Sequence, residues 1–167
     1  RTFVMTDTSL LALQTGTGSG EWSFGWGSPA KMTVAGRMDY EGYNLSRLVV
    51  AEENGHVSGW DLRDGQLSWS RNIQACIYEP DTIQAAPVAM LPTLAEGWMR
   101  TNPHPGLVFV VTASPTTWQC YGSMARVLAL NADSGAEEWS YSYDYLSPSF
   151  TSSGTGLAVD YRRSLLV

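Results

Sequence analysis

Three stretches of the chain carry the same residue types at the same offsets, and this constrains the fold more than any other feature. Ala129, Asn131, Gly135 and Trp139 stand in A-L-N-A-D-S-G-A-E-E-W. Gly59, Asp61, Gly65 and Trp69 repeat the register in G-W-D-L-R-D-G-Q-L-S-W. Ala12, Gln14, Gly18 and Trp22 repeat it again in A-L-Q-T-G-T-G-S-G-E-W. A motif recurring in register marks a repeat architecture, in which each copy is one supersecondary unit that buries its apolar face only against a neighbour.

Each motif position has a physical reason. Asp64-Gly65 and Ser134-Gly135 are turn pairs, because glycine accepts the positive φ of a tight connection. Asp61 and Asn131 are the residue types that bond nearby backbone and stiffen a corner, whereas the first copy departs from the pattern with Gln14. A small residue at Ala12, Gly59 and Ala129 leaves room for a large group, and the tryptophan supplies one with a single N–H to satisfy.

The flanking residues repeat as well. Extended hydrophobic stretches precede the motifs at Phe3–Met5, Leu48–Val50 and Leu107–Val111. Asn54-Gly55 between Leu48–Glu53 and His56–Leu62 is a strong hairpin signal. Further short segments are marked by Ser28-Pro-Ala30 and Ala86-Pro-Val88, and Gly156–Asp160 followed by Ser164–Val167 reads as the opening of another unit. Four short strands per unit is the content of a propeller blade. Trp22 and Trp69 are 47 residues apart, a four-stranded spacing, while Trp69 and Trp139 are 70 apart. The excess is assigned to turn-rich loops at Tyr78–Asp81, Leu91–Pro105 and Ala113–Gly122, since no helical period persists. The expected fold is all-β: a partial β-propeller of about three four-stranded antiparallel blades plus the start of another. The expected division is one domain over 1–167, with a blade part at 1–26, blades at 27–72 and 84–145 (the latter with insertions), and the next blade starting at 146–167.

This pattern resembles the tryptophan-docking repeat of the quinoprotein-like, pyrroloquinoline-quinone-type β-propellers. In that family a motif of the form A-x-(D/N)-x-x-x-G-x-x-x-W recurs once per blade and its tryptophan docks on the neighbouring blade. The likeness is carried by Ala129, Asn131, Gly135 and Trp139 most fully, then by Gly59, Asp61, Gly65 and Trp69, then by Ala12, Gly18 and Trp22. It implies about eight blades, so the chain reads as an interior piece of a longer protein that needs its other blades for stability. The resemblance covers both quinone-dependent alcohol and sugar dehydrogenases and non-catalytic propellers. The alcohol dehydrogenases use an adjacent Cys-Cys pair beside the quinone and an acidic and amide set on Ca²⁺. This sequence has no Cys-Cys pair and no residue that matches those ligands.

Composition and the remaining motifs narrow the function. The chain has 167 residues, 44% hydrophobic and 16% charged, with a net charge of −6 and no local Lys/Arg cluster, which argues against a nucleic-acid partner. No apolar run approaches the roughly 18 residues of a membrane span. Cys76 and Cys120 are spaced unlike any metal motif and fit either one disulfide or two core thiols. Trp60-Asp61 after Gly55-His56 is too tightly spaced for a WD repeat, and Gly16–Gly20 precedes a strand-like stretch without the lysine of a phosphate loop. The pairs Glu52/Glu53 and Glu137/Glu138 point to opposite strand faces, while Asp39/Glu41 reads as a solvated loop pair. His56 and His104 are expected to be exposed, with no nearby partner for nucleophile activation or metal binding. Tyr141, Tyr143 and Tyr145 share one face and are assigned to packing between blades, or else to an aromatic surface for sugar or protein. Asn44-Leu-Ser46 is a glycosylation sequon that matters only in a secreted protein.

The expected function is a non-catalytic scaffold or protein-interaction module, with no catalytic, cofactor or metal residue assigned. Its expected partners are other protein chains in an assembly, or further blades of the same chain. Trp98 and Trp118, unexplained by the motif, lie in the loops best placed for partner contact. The alternatives are part of a pyrroloquinoline-quinone and Ca²⁺-dependent dehydrogenase, or a carbohydrate-binding propeller. An extracytoplasmic location follows from the resemblance.

Overall fold

The fold is that of a computed structural model and is described for residues 1–39, 42–74, 81–83, 86–90, 104–113, 123–145, 159–160 and 165–166. Among these every regular element is a strand. In chain order they are β1 (Thr2–Met5), β2 (Ser9–Leu13), β3 (Gly20–Gly25), β4 (Ala30–Asp39), β5 (Gly42–Glu52), β6 (His56–Asp61), β7 (Leu67–Asn72), β8 (Thr82–Ile83), β9 (Val88–Met90), β10 (His104–Pro105), β11 (Leu107–Ala113), β12 (Ser123–Asn131), β13 (Glu137–Tyr145), β14 (Val159–Asp160) and β15 (Leu165–Leu166).

The strands form successive antiparallel meanders. The first sheet is β1-β2-β3, and the second runs β4-β5-β6-β7 with β10 added to its β4 edge. The third runs β8-β11-β12-β13, with β9 also on β11, and β14-β15 is a separate pair. Matching the motif turns makes β1, β2 and β3 the counterparts of β5, β6 and β7. The first strands of successive units lie side by side: β4 against β9, and β9 against β14.

Three details differ from the sequence expectation. The first strand of the third sheet comes in two pieces: four residues separate Ile83 from Val88, while two separate their partners Thr112 and Phe109 on β11. The register on β11 thus shifts by two between the two pieces, and Pro87, which has no N–H to give a ladder, lies between them. Strands β4 and β5 have 10 and 11 residues, longer than the short segments read from sequence. The stretch assigned to a loop at Leu91–Pro105 ends in β10, whose His104 and Pro105 pair with Met38 and Arg37.

Alternation along the strands builds the core between sheets. Leu48 and Val50 of β5 face Leu10, Phe3, Trp22 and Phe24 of the first sheet. Val49 and Ala51, one residue out of phase, join Val57 and Trp69 against Val108, Val110, Leu128 and Leu130 of the third. The second sheet is thus apolar on both faces, as a blade flanked by two others must be. Cys76, Cys120, Trp98 and Trp118 lie outside the described residues.

The connection from the second to the third sheet is held beneath the Asn54-Gly55 turn. Gly55, at φ 85°, accepts the Ile73 N–H at 2.9 Å, and Ile73 in turn accepts the Asp81 N–H at 3.1 Å. A Cβ at Gly55 would collide with the Asp81 carbonyl oxygen, which is backbone and has no rotamer to escape into. Gly55→Ala is therefore expected to cost about 2 kcal/mol or more in chemical denaturation. An unchanged midpoint would show that the connection yields easily.

Candidate functional site: the tryptophan-docked junctions

The three motif hairpins share one geometry. In each, the glycine N–H donates to the carbonyl four residues back: Gly18 to Gln14 at 2.8 Å, Gly65 to Asp61 at 2.9 Å and Gly135 to Asn131 at 2.8 Å. The glycine φ values are 70°, 71° and 69°, a left-handed conformation that side chains resist. A register shift follows the small residue each time, at Ala12/Leu13, Gly59/Trp60 and Ala129/Leu130. The bulge sharpens the twist where the strand enters its turn.

The small residue and the tryptophan are direct cross-strand partners: Ala12 with Trp22, Gly59 with Trp69 and Ala129 with Trp139. The missing bulk opposite the indole is what lets the ring lie down and reach outward. A Cβ on Gly59 would overlap the indole of Trp69. The ring then lies on the next unit's turn. Trp69 covers Gly135, where a Cβ would strike its six-membered ring, and Trp22 covers Gly65, where a Cβ would sit 2.6 Å from Cδ2. The motif glycine is thus required twice, by its own φ and by the preceding unit's tryptophan.

The junctions are not equally complete. Trp69 is 9% exposed and donates from Nε1 to the Ala132 carbonyl at 3.0 Å. Trp22 has its Nε1 buried without a partner, and the carbonyl at the matching position, Leu62, accepts from Arg1 Nη1 at 3.1 Å instead. Trp139 is 43% exposed, with its ring 5.7 Å from Phe109. Nothing lies within 4 Å of the Cβ position of Gly18. Among the described residues, therefore, the first motif turn carries no indole and the third indole covers no motif turn.

The polar corner takes three forms. Asp61 Oδ1 accepts the Arg63 N–H at 2.8 Å, and its carboxylate also holds the Arg63 guanidinium and Arg47 Nη1, the last at 3.1 Å. The side-chain bond from Arg63 is the chief reason the Asp61 pKa falls from 3.8 to about 2, and the same pairing raises that of Arg63. Asn131 Oδ1 accepts the N–H groups of Asp133 and Ser134 at 3.0 and 3.2 Å. Gln14, one methylene longer, accepts the Thr17 hydroxyl at 2.7 Å, so the first corner is closed by a side chain.

Several polar contacts were not foreseen from sequence. His56 is half-buried and not partnerless: its Nδ1 lies 2.6 Å from Oε1 of buried Glu52. The other Glu52 oxygen accepts from the Gly27 N–H at 3.1 Å and sits 3.5 Å from the Ser28 hydroxyl. The Asn54-Gly55 turn sets position 56 opposite position 52, and that spacing was the available signal. Fully buried Asp81 accepts the Thr112 hydroxyl at 2.8 Å, with Arg126 Nη1 3.9 Å away. Arg126 reaches Glu137, which also pairs with Arg71 of the second sheet. Glu52 and Glu53 diverge as expected, the first buried and the second exposed. Among the described residues no three His, Cys, Asp or Glu side chains gather as a metal site.

Sheets of antiparallel strands, docked in sequence by a tryptophan laid on a glycine turn, are blades of a β-propeller of the pyrroloquinoline-quinone type. The model for the family described as outer membrane protein assembly factor BamB matches residues 1–97, more than half of the chain, and the chain belongs to that family. No curated protein matches the chain. Among solved structures it is similar to BamB from Moraxella catarrhalis, at 18% identity and TM-score 0.47, over 80% of this chain and 31% of that one. It is also similar to the quinohemoprotein alcohol dehydrogenase ADHIIG from Pseudomonas putida HK5, at 17% identity and TM-score 0.54, over 84% of this chain and 19% of that one. The chain thus spans less than a third of either structure, and at this identity the second likeness is one of fold.

Two substitutions separate adhesion from hydrogen bonding. Trp69→Phe keeps a ring over Gly135 but orphans the Ala132 carbonyl, and is expected to cost about 1 kcal/mol more than Trp22→Phe, whose lost N–H has no partner. Equal losses in denaturant titrations would contradict this. Asp61→Asn tests the corner through pH. With its folded pKa near 2, below the ordinary 3.8, Asp61 stabilises fully above about pH 4 and loses that contribution as pH falls toward 2. The stability gap between parent and variant is expected to stay level from pH 7 to 4 and to close below it.

Proposed function

We propose that the chain is part of a non-catalytic propeller scaffold that presents loops and sheet faces to other proteins in an extracytoplasmic assembly. The observation that carries this reading is that the carboxylates at the turns and sheet junctions are committed to structural contacts. Glu52 holds the Gly27 amide and His56, Asp61 holds Arg63 and Arg47, Asp81 holds Thr112, and Glu137 holds Arg71 and Arg126. Each of these four carboxylates is spent on the frame, holding backbone or side chains in place. The family description, an outer membrane protein assembly factor, supports the same reading and an envelope location. No helix among the described residues is long and apolar enough to cross a membrane. The segments that carry Trp98 and Trp118, outside the described residues, are the proposed contact surfaces.

The second reading, a quinone- and Ca²⁺-dependent dehydrogenase, draws support from the fold of the alcohol dehydrogenase neighbour. Titration of the intact parent protein with pyrroloquinoline quinone and Ca²⁺ separates the two, read by tryptophan fluorescence and by dye reduction with simple alcohols and sugars. The scaffold reading expects no saturable binding and no turnover, and Trp98→Ala with Trp118→Ala is expected to abolish partner binding without lowering the melting temperature. Stoichiometric quinone binding with turnover would overturn it.

A further inference from the structure

Two residues after each motif tryptophan, on the same face of its strand, stands a second side chain, and at the two described junctions it meets the neighbouring unit. At the first junction it is Phe24, stacked on Trp60 of the second sheet with ring centroids 3.8 Å apart and planes 10° from parallel. At the second it is Arg71, which donates from Nη1 to the Gly135 carbonyl at 2.8 Å and reaches Glu137 Oε2 at 3.4 Å. In β13 it is Tyr141, 58% exposed beside Trp139.

The tryptophan itself discriminates poorly. The turns at Gly65 and Gly135 have the same φ within 2° and the same internal hydrogen bond, so either offers an indole the same bare backbone. The companion residues differ in kind. Glu137 stands two residues after Gly135, where it meets Arg71, and the matching position after Gly65 is Leu67, an apolar side chain 51% exposed. Phe24 set against the third sheet would find Leu130 at the position of Trp60, with no ring to stack on, and would leave Arg71 without its acceptors. Arg71 laid over the Gly65 turn would find Leu67 where it needs an acid. Specificity of this sort is a difference of affinities, made as much by the wrong pairings as by the right ones.

We propose that the residue two positions after the motif tryptophan decides which unit a sheet accepts as its neighbour: the tryptophan supplies adhesion and its companion supplies identity.

The test transplants the second junction's chemistry into the first, in the full chain. Phe24→Arg is expected to lower the unfolding midpoint and to speed amide exchange in the turn at residues 62–66 by about tenfold. Leu67→Glu alone leaves both unchanged, and the two together recover most of the loss by rebuilding an Arg–Glu pair across the junction. A Phe24→Arg protein as stable as the parent, or a double variant no better than Phe24→Arg alone, would overturn the proposal. Arg71→Met gives a second reading that does not depend on the first junction folding. It is expected to speed exchange in residues 132–137 and not in 62–66, with Arg71→Lys restoring part of the protection. Equal loosening of both turns would assign Arg71 a general structural role and refute its part in neighbour choice.

Discussion

An indole lying flat on a peptide turn is the interaction on which the rest of this fold rests. Between the second and third sheets it joins side chain to backbone across 63 residues of sequence, from Trp69 Nε1 to the Ala132 carbonyl. Truncating a buried aromatic costs roughly 3 to 5 kcal/mol in a packed core, a large share of what holds a domain together. The small residue and the glycine of the motif make room for the ring and keep its landing surface bare, while Asp61 and Asn131 close the corner of the turn. Gly59 clears the space across the strand pair, and Gly135 keeps Cβ atoms off the receiving turn. The bulge after Gly59 twists the strand into that turn.

Polar groups refine what the indoles establish. At the second junction Arg71, Arg126 and Glu137 link β7, β12 and β13, and Arg47 lies between Asp61 of its own sheet and Asp133 of the next. Exposed ion pairs contribute little singly, but these sit at the rim of an apolar contact and so limit how the sheets slide. The first junction adds rings to the bond from Arg1 to the Leu62 carbonyl: Phe3, Trp22, Phe24 and Trp60 form a run of stacked and tilted pairs. Two junctions with one common residue and otherwise different chemistry allow neighbouring blades of one chain to be told apart.

Much of this was legible in the sequence because the repeat writes the same physics three times. The glycine turns, the small residue opposite the indole and the Asn-Gly hairpin depend on neighbours within about a dozen residues, so local residue types suffice to read them. The assignment of Trp69 to a neighbouring blade needed the family resemblance, because nothing in a single hairpin says where its tryptophan lands. What escaped is contact between residues far apart or set by register. Arg71 meets Glu137 across 66 residues, and the split pairing of β8 and β9 depends on a shift that no periodicity displays. His56 was misread for a different reason. A residue beside a turn is usually solvated, but here the hairpin register placed it against a carboxylate already buried by the linker at Gly27.

The indole of Trp22 on the Gly65 turn and that of Trp69 on the Gly135 turn give the array a polarity. Each unit has one giving face and one receiving face, and the two are unlike, so units add only head to tail. Such a contact cannot saturate itself as a two-fold pairing does. It extends until the last giving face meets the first receiving one, and the small rotation between successive sheets decides after how many units that happens. Closure is therefore a property of the whole ring that no single unit contains, and it leaves a propeller with no free end from which to unravel.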